Sequence, residues 1–298
     1  MSITVSAPGK LMLLGEHAVV YSYPCMASAI DKYLTVKIKK RIDNSDELLI
    51  SPITDNSFVK KTLDIFKKKY SVNQGVDLEI QSELGNYGLG SSAAVVVAIV
   101  KGLAGLFKIS LTNKELFDIS FEVVVAVQKL ASGFDIAASI WGGTIYFDGH
   151  TKQVEYLGSS KLPIIVCFSG SKAKTVEMVK KVKNLKEKNE VFVEDIFRSI
   201  KKLVEQGKRA IINKDWRELG NLYNENHRLL IKLGVSTDKL DTLVSAAVTA
   251  GAYGAKLSGA GGGDCMIAVV SDDRKVNVKA AIEQAGGKVL NISVGLGK

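Results

Sequence analysis

The sequence predicts a two-domain α+β fold, with domains at residues 1–160 and 161–298. Three observations predict it. Strand and helix signals alternate through the first 160 residues; residues 173–250 are almost wholly helical in pattern; the chain then ends on strand, glycine loop, strand, helix and strand. A length of 298 residues is enough for two medium domains around buried cores.

The elements follow in order. Ile3–Ala7 alternates apolar and polar residues, and Tyr33–Lys40 (YLTVKIKK) is a period-2 strand. Ser57–Tyr70 carries apolar residues at helical spacing, and Val76–Ile80 returns to strand. GNYGLGSSAAVVVAIVKGLAGLF then reads as a glycine turn, two serines at a helix start, and a buried helix to about Phe107. Thr112 followed by Glu115 is a capping box for a helix running to about Gln128. Gly142-Gly143 leads into a hairpin with Asp148-Gly149 in its turn, and Leu162–Phe168 is a further apolar strand. The helical stretch is punctuated near Asn189, Gly207 and Gly234. Strands at Gly254–Ser258 and Cys265–Val270, a helix over about 273–285 and a strand at Val289–Val294 complete the chain.

Composition removes several function classes. No apolar run approaches the ~20 residues of a membrane span; the longest, Ala93–Val100, stops at Lys101. Pro8, Gly9 and Lys10 interrupt the N-terminal apolar stretch, so it does not read as a signal peptide, and the expected location is the cytoplasm. The net charge is +9, but lysines gather at Lys60–Lys69 and Lys172–Lys188 as solvated helix faces, without interleaved aromatics. That is not a nucleic-acid surface; it is a diffuse field suited to anionic ligands. Cys25, Cys167 and Cys265 are widely spaced in apolar contexts and read as buried thiols. The three histidines have no ligand spacing for zinc.

Three segments carry chemistry. In Gly88-Leu89-Gly90-Ser91-Ser92-Ala93-Ala94, glycines let N–H groups converge, and the following helix points its positive end at the loop. Taken alone it is equally a tight turn with a serine cap. It is not GxxxxGK[ST], because Ser91 follows Gly90 where a lysine is required, and protein-kinase HRD and DFG signatures are absent. Pro8-Gly9-Lys10 followed by Gly15-Glu16-His17 sets a lysine and a Glu-His pair near a glycine turn, as a polar substrate or a surface ion pair would need. Lys256-Leu257-Ser258-Gly259-Ala260-Gly261-Gly262-Gly263-Asp264-Cys265 has four glycines in five positions between strands. A turn needs one or two, so this backbone is expected to approach a ligand closely.

Together these segments resemble the three motifs of the GHMP kinases, named for galactose, homoserine, mevalonate and phosphomevalonate, and the resemblance covers nearly the whole chain. It implies a left-handed β-α-β crossover in an N-terminal domain like ribosomal protein S5 domain 2, an exception to the usual rule, and a ferredoxin-like C-terminal domain. It implies ATP and Mg²⁺ as cofactors. Gly88, Leu89, Gly90, Ser91, Ser92 and Ala93 would bind the triphosphate, with Ser92 on Mg²⁺. Asp135 matches the catalytic aspartate and Lys10 the lysine beside the acceptor hydroxyl. Glu16, His17, Thr175, Gly259, Ala260 and Gly261 match positions at the substrate end. Within the family, APGKLMLLGEHAVVY, SGFDIAASIWGG and LLIKLGVSTDKLDTLV look like the mevalonate kinases. The implied reaction is phosphorylation of the mevalonate 5-hydroxyl, giving 5-phosphomevalonate and ADP in isoprenoid precursor synthesis. The implied partner is this small molecule, not nucleic acid or membrane, with a homodimer left open.

One position departs from the pattern. Mevalonate kinases typically place a Mg²⁺-binding glutamate eleven residues before the catalytic aspartate, where this chain has Val124. Glu122 is nearest, but two residues on a helix is a rotation of about 200°. YGLGSSAAVVVAIVKGL, SGFD and SGAGGGDC also resemble phosphomevalonate kinases, which stand as the alternative reading. The ATP-dependent decarboxylase of the same pathway and a non-catalytic nucleotide sensor on the same fold come after it.

Overall fold

The structure is a computed structural model that describes residues 2–50, 56–129 and 131–296. Its first sheet has six strands: β1 (Ser2–Leu14), β2 (Cys25–Lys40), β3 (Glu47–Ile50), β4 (Val76–Ser82), β5 (Thr144–Phe147) and β6 (Val154–Gly158). Their order is β3-β4-β2-β5-β6, with β1 paired to the long central β2. β1 runs antiparallel to β2 from Ser2↔Lys39 to Leu14↔Met26, with a register shift between Pro8 and Lys10. Apolar alternation ends at Ala7, yet the strand continues. A bulge is where a sheet tolerates a proline and re-aims the side chains that follow, and here it re-aims Lys10.

Four helices cover this sheet: α1 (Ser57–Tyr70), α2 (Ser91–Leu106), α3 (Asn113–Gln128) and α4 (Phe134–Trp141). α2 packs against β1, β2, α1, α3 and α4, and is buried almost all round, as its run of Ala, Val and Ile requires. The capping box at Thr112 and Glu115 forms as its residues predict, with the Glu115 N–H donating to Thr112 and the Glu115 carboxylate accepting from the Thr112 N–H.

The second sheet holds β7 (Ile164–Phe168), β8 (Gly254–Ser258), β9 (Cys265–Val269) and β10 (Lys288–Leu290) in the order β10-β7-β9-β8, all antiparallel. In chain order that is 4-1-3-2, the ferredoxin-like arrangement. Its helices are α5 (Thr175–Lys188), α6 (Glu190–Ile212), α7 (Trp216–Lys232), α8 (Asp238–Thr249) and α9 (Lys275–Gln284). α6 runs unbroken through Gly207, which the sequence reads as punctuation. A Cβ there would stand 2.5 Å from the Leu14 Cδ1, so the glycine lets α6 lie close on the first sheet. The chain breaks instead at residues 213–215, where the Asp215 side chain caps α7.

The last described residues return to the first sheet. Val294 bridges to Ile30, and the Ser293 N–H donates to the Asp31 carboxylate at 2.8 Å. Cys25, Cys167 and Cys265 are free and buried, as expected of apolar thiols. No helix among the described residues is long and apolar enough to cross a membrane.

Candidate active site

The Gly88–Ala94 segment is a loop that becomes the first turn of α2 at Ser91. The N-cap is Gly90, at φ 88°, and no side chain caps the helix. Ser91, Ser92 and Ala93 therefore lie in the turn whose N–H groups have no intrahelical acceptor, with the helix dipole adding positive potential. Ser91 and Ser92 are only part-buried. That combination suits the binding of an anion.

β1 holds this loop in place. The Lys10 N–H donates to the Leu89 carbonyl at 2.8 Å, and the Lys10 ammonium lies 3.5 Å from the Gly88 carbonyl. A Cβ on Gly90 would stand 2.8 Å from the Lys10 Cγ, so the lysine stem lies directly across the glycine. The same ammonium sits 5.3 Å from the centre of the Phe134 ring. Lys10 thus spans the gap from the glycine loop to the start of α4.

Asp135 stands in the first turn of α4, where its carboxylate accepts from the Ile136 N–H at 3.0 Å. One turn later the Ser139 hydroxyl donates to the Pro8 carbonyl at 2.8 Å. Residues four apart share a helix face. The bond to Pro8 therefore turns the Asp135 face toward the Pro8-Gly9-Lys10 bulge. Three segments far apart in sequence are joined here: the Pro8-Gly9-Lys10 bulge, the Gly88–Gly90 loop and the first turns of α4.

The second domain closes the other side. The His17 ring is buried and its Nε2 lies 2.9 Å from the Ala260 carbonyl in the C-terminal glycine loop. Burial pulls its pKa below the ordinary imidazole value, so it is neutral near pH 7. Gly259, at φ 98°, faces open space. Gly262 packs against Met178 on α5, one turn after Thr175, so the exposed Thr175 is on the α5 turn that borders this loop.

Glu16 is placed differently from its neighbours. It is fully buried, and its carboxylate pairs with the buried Lys256 ammonium of β8 and accepts from the Asn226 amide at 2.9 Å. Lys256 also donates to the Leu257 carbonyl at 2.6 Å and lies 5.6 Å from the centre of the Tyr223 ring. Desolvation lowers the Lys256 pKa, with Glu16 opposing it. The expectation that Glu16 faces an acceptor thus meets a side chain enclosed between the domains. Sequence reasoning passed over Lys256, Asn226 and Ser139, and the only local signal was that Lys256 opens the glycine motif. On α3, Val124 is buried and Glu122 exposed.

Comparisons with known proteins identify the family and the fold. The profile of the GHMP kinases N terminal domain matches residues 57–143, and that of the GHMP kinases C terminal matches residues 208–288. The mevalonate kinase of Pyrococcus abyssi (strain GE5 / Orsay) is 37% identical, covering 96% of this chain and 93% of that protein. Among solved structures, L. major mevalonate kinase in complex with R-mevalonate superposes with a TM-score of 0.85 at 24% identity, over 99% of this chain and 96% of that one. The Streptococcus pneumoniae phosphomevalonate kinase gives 0.84 at 21%, over 99% of both. At those identities the two structures speak for the fold alone. With both family profiles matched and a relative this similar end to end, the chain belongs to the GHMP kinase family.

Proposed function

We propose that this kinase transfers the γ-phosphoryl group of ATP to the 5-hydroxyl of mevalonate, giving 5-phosphomevalonate and ADP. The observation that carries the reading is Lys10 lying across Gly90 while Ser139 pins the Asp135 helix to the same bulge. Similarity to mevalonate kinases over 96% of the chain selects the acceptor.

Phosphoryl transfer asks a protein mainly for positioning and charge neutralisation. Backbone N–H groups at Gly88, Leu89, Gly90, Ser91, Ser92 and Ala93 hold the phosphates. Asp135 takes the proton of the attacking hydroxyl, the work of a general base within reach of it. Lys10 orients that hydroxyl and offsets charge as it develops. His17, Thr175 and Gly259 to Gly261 shape the acceptor end. Glu16 serves that end indirectly, by holding the segment that presents His17.

Among the described residues no group of three His, Cys, Asp or Glu side chains could hold a metal by itself. The donors at the loop instead suit a cation carried by phosphates: the Ser92 hydroxyl is a hard oxygen in the first helical turn. Bound with the nucleotide and held by Ser92, Mg²⁺ would supply charge neutralisation at the phosphates. Ser92→Ala should raise the Mg²⁺ concentration needed for half-maximal rate, measured by titrating the metal at saturating ATP. An unchanged metal dependence would remove Ser92 from that role.

ADP release with a panel of acceptors tests the substrate. Turnover is expected with mevalonate and not with its 5-phosphate. The reverse pattern would identify a phosphomevalonate kinase, and evolved CO₂ a decarboxylase. No turnover with any of these acids would identify a nucleotide sensor.

A further inference from the structure

One carboxylate at the site has no part in the reaction as described. Asp264 ends the run of glycines and sits at φ 56°, in the left-handed region. That conformation is uncommon outside glycine, although aspartate enters it more readily than most residues. Gly261, Gly262 and Gly263 just before it all have positive φ, so this loop uses glycine where it only needs to turn. Asp264 meets the same demand while carrying a side chain.

That side chain lies on the phosphate loop. A Cβ on Gly88 would stand 2.4 Å from the Asp264 Oδ2 and 2.6 Å from its Cγ, so the carboxylate occupies the space that the missing Gly88 side chain leaves open. Its Oδ1 accepts from the Ala173 N–H at 3.1 Å, in the segment leading to α5. Burial raises its pKa, while the Ala173 N–H, Lys10 and Lys172 oppose that rise and favour the anion. The loop that would cradle a polyanion therefore already carries a negative group. Two anions share a site stably only with a cation between them, and Lys10 with Lys172 does not balance a carboxylate and a triphosphate.

We propose that Asp264 is the protein carboxylate that engages the divalent cation carried by the nucleotide, from the second domain across the glycine loop. This rests on the Gly88–Ala94 loop binding ATP. Its Oδ1 stays on Ala173 and its Oδ2, which lies against Gly88, is the oxygen offered to the cation. The cation then links the two domains across the nucleotide, so a metal-loaded nucleotide holds the C-terminal glycine loop against the phosphate loop, and a metal-free one is repelled.

The test is calorimetric titration of the full chain with β,γ-imido-ATP, in excess Mg²⁺ and in EDTA. Three proteins are compared: the parent, Asp264→Asn and Asp264→Gly. Asparagine keeps the shape and the acceptor for Ala173. Glycine relieves the left-handed backbone, so that variant should melt no lower than the parent. Magnesium should tighten binding by the parent about tenfold or more, and this gain should shrink to about threefold or less in both variants, as loss of a metal partner predicts. Metal-free binding should become tighter in both, because the repelling anion is gone. If Asp264→Asn keeps the parent's magnesium gain, the carboxylate only braces the loops and the inference fails. If the parent binds no nucleotide in either buffer, the ATP-loop reading fails and takes this inference with it.

Discussion

Asp135→Ala is expected to lower kcat by about 10²–10⁴-fold, the usual worth of a positioned general base, while nucleotide affinity stays at the parent value. The reason is positional. Asp135 is in the first turn of α4, and the contact that orients this helix, Ser139 to Pro8, lies one turn away. Truncating the carboxylate removes no cradle N–H and no bond between α4 and β1. The triphosphate should therefore still bind, and only the proton acceptor is lost. Steady-state kinetics with mevalonate, paired with calorimetric ADP binding, separates the two effects. Near-normal kcat would show that Asp135 is not the base.

Lys256→Met should have the largest effect on stability. Both members of the Lys256–Glu16 pair are fully buried, and removing one leaves the other without its counter-charge. Breaking a buried pair in this way costs about 3–5 kcal/mol. Replacing both with apolar groups of similar volume is often neutral, so Glu16→Leu combined with Lys256→Met should recover most of the loss. Denaturant unfolding of the parent, the two single variants and the double variant reads the coupling. If each single change costs less than about 1 kcal/mol, the value of an exposed pair, the two charges are not enclosed as described.

Local signals were legible wherever a residue satisfies its own neighbourhood. Thr112 and Glu115 announced their helix start because the capping bonds span three residues. The run Ala93–Val100 announced a central helix because no solvated helix carries so many apolar faces. The elements that sequence reading missed are short or defined from outside. α4 is eight residues long, too few for a helical period to declare itself, and β3 is a four-residue edge strand with mostly exposed side chains. Gly207 was misread because a glycine inside a helix looks like a break, whereas here it is a contact surface for Leu14.

The same division runs through the site. The glycine loop, Lys10 and Asp135 could be singled out because each sits in a motif. The enclosure of Glu16 could not, because its partner Lys256 is 240 positions away in sequence and no local pattern encodes that pairing. The bulge at Pro8 was likewise invisible. Proline and glycine read as the end of a strand, but the paired β2 carries the strand through them.

The most direct test of the central claim is phosphorus-31 NMR of the purified protein turning over ATP in the presence of mevalonate. The account predicts a new phosphomonoester resonance on the C5 oxygen, appearing in step with ADP. Phosphorus appearing only as inorganic phosphate, or a phosphorylated product formed only when 5-phosphomevalonate replaces mevalonate, would contradict it.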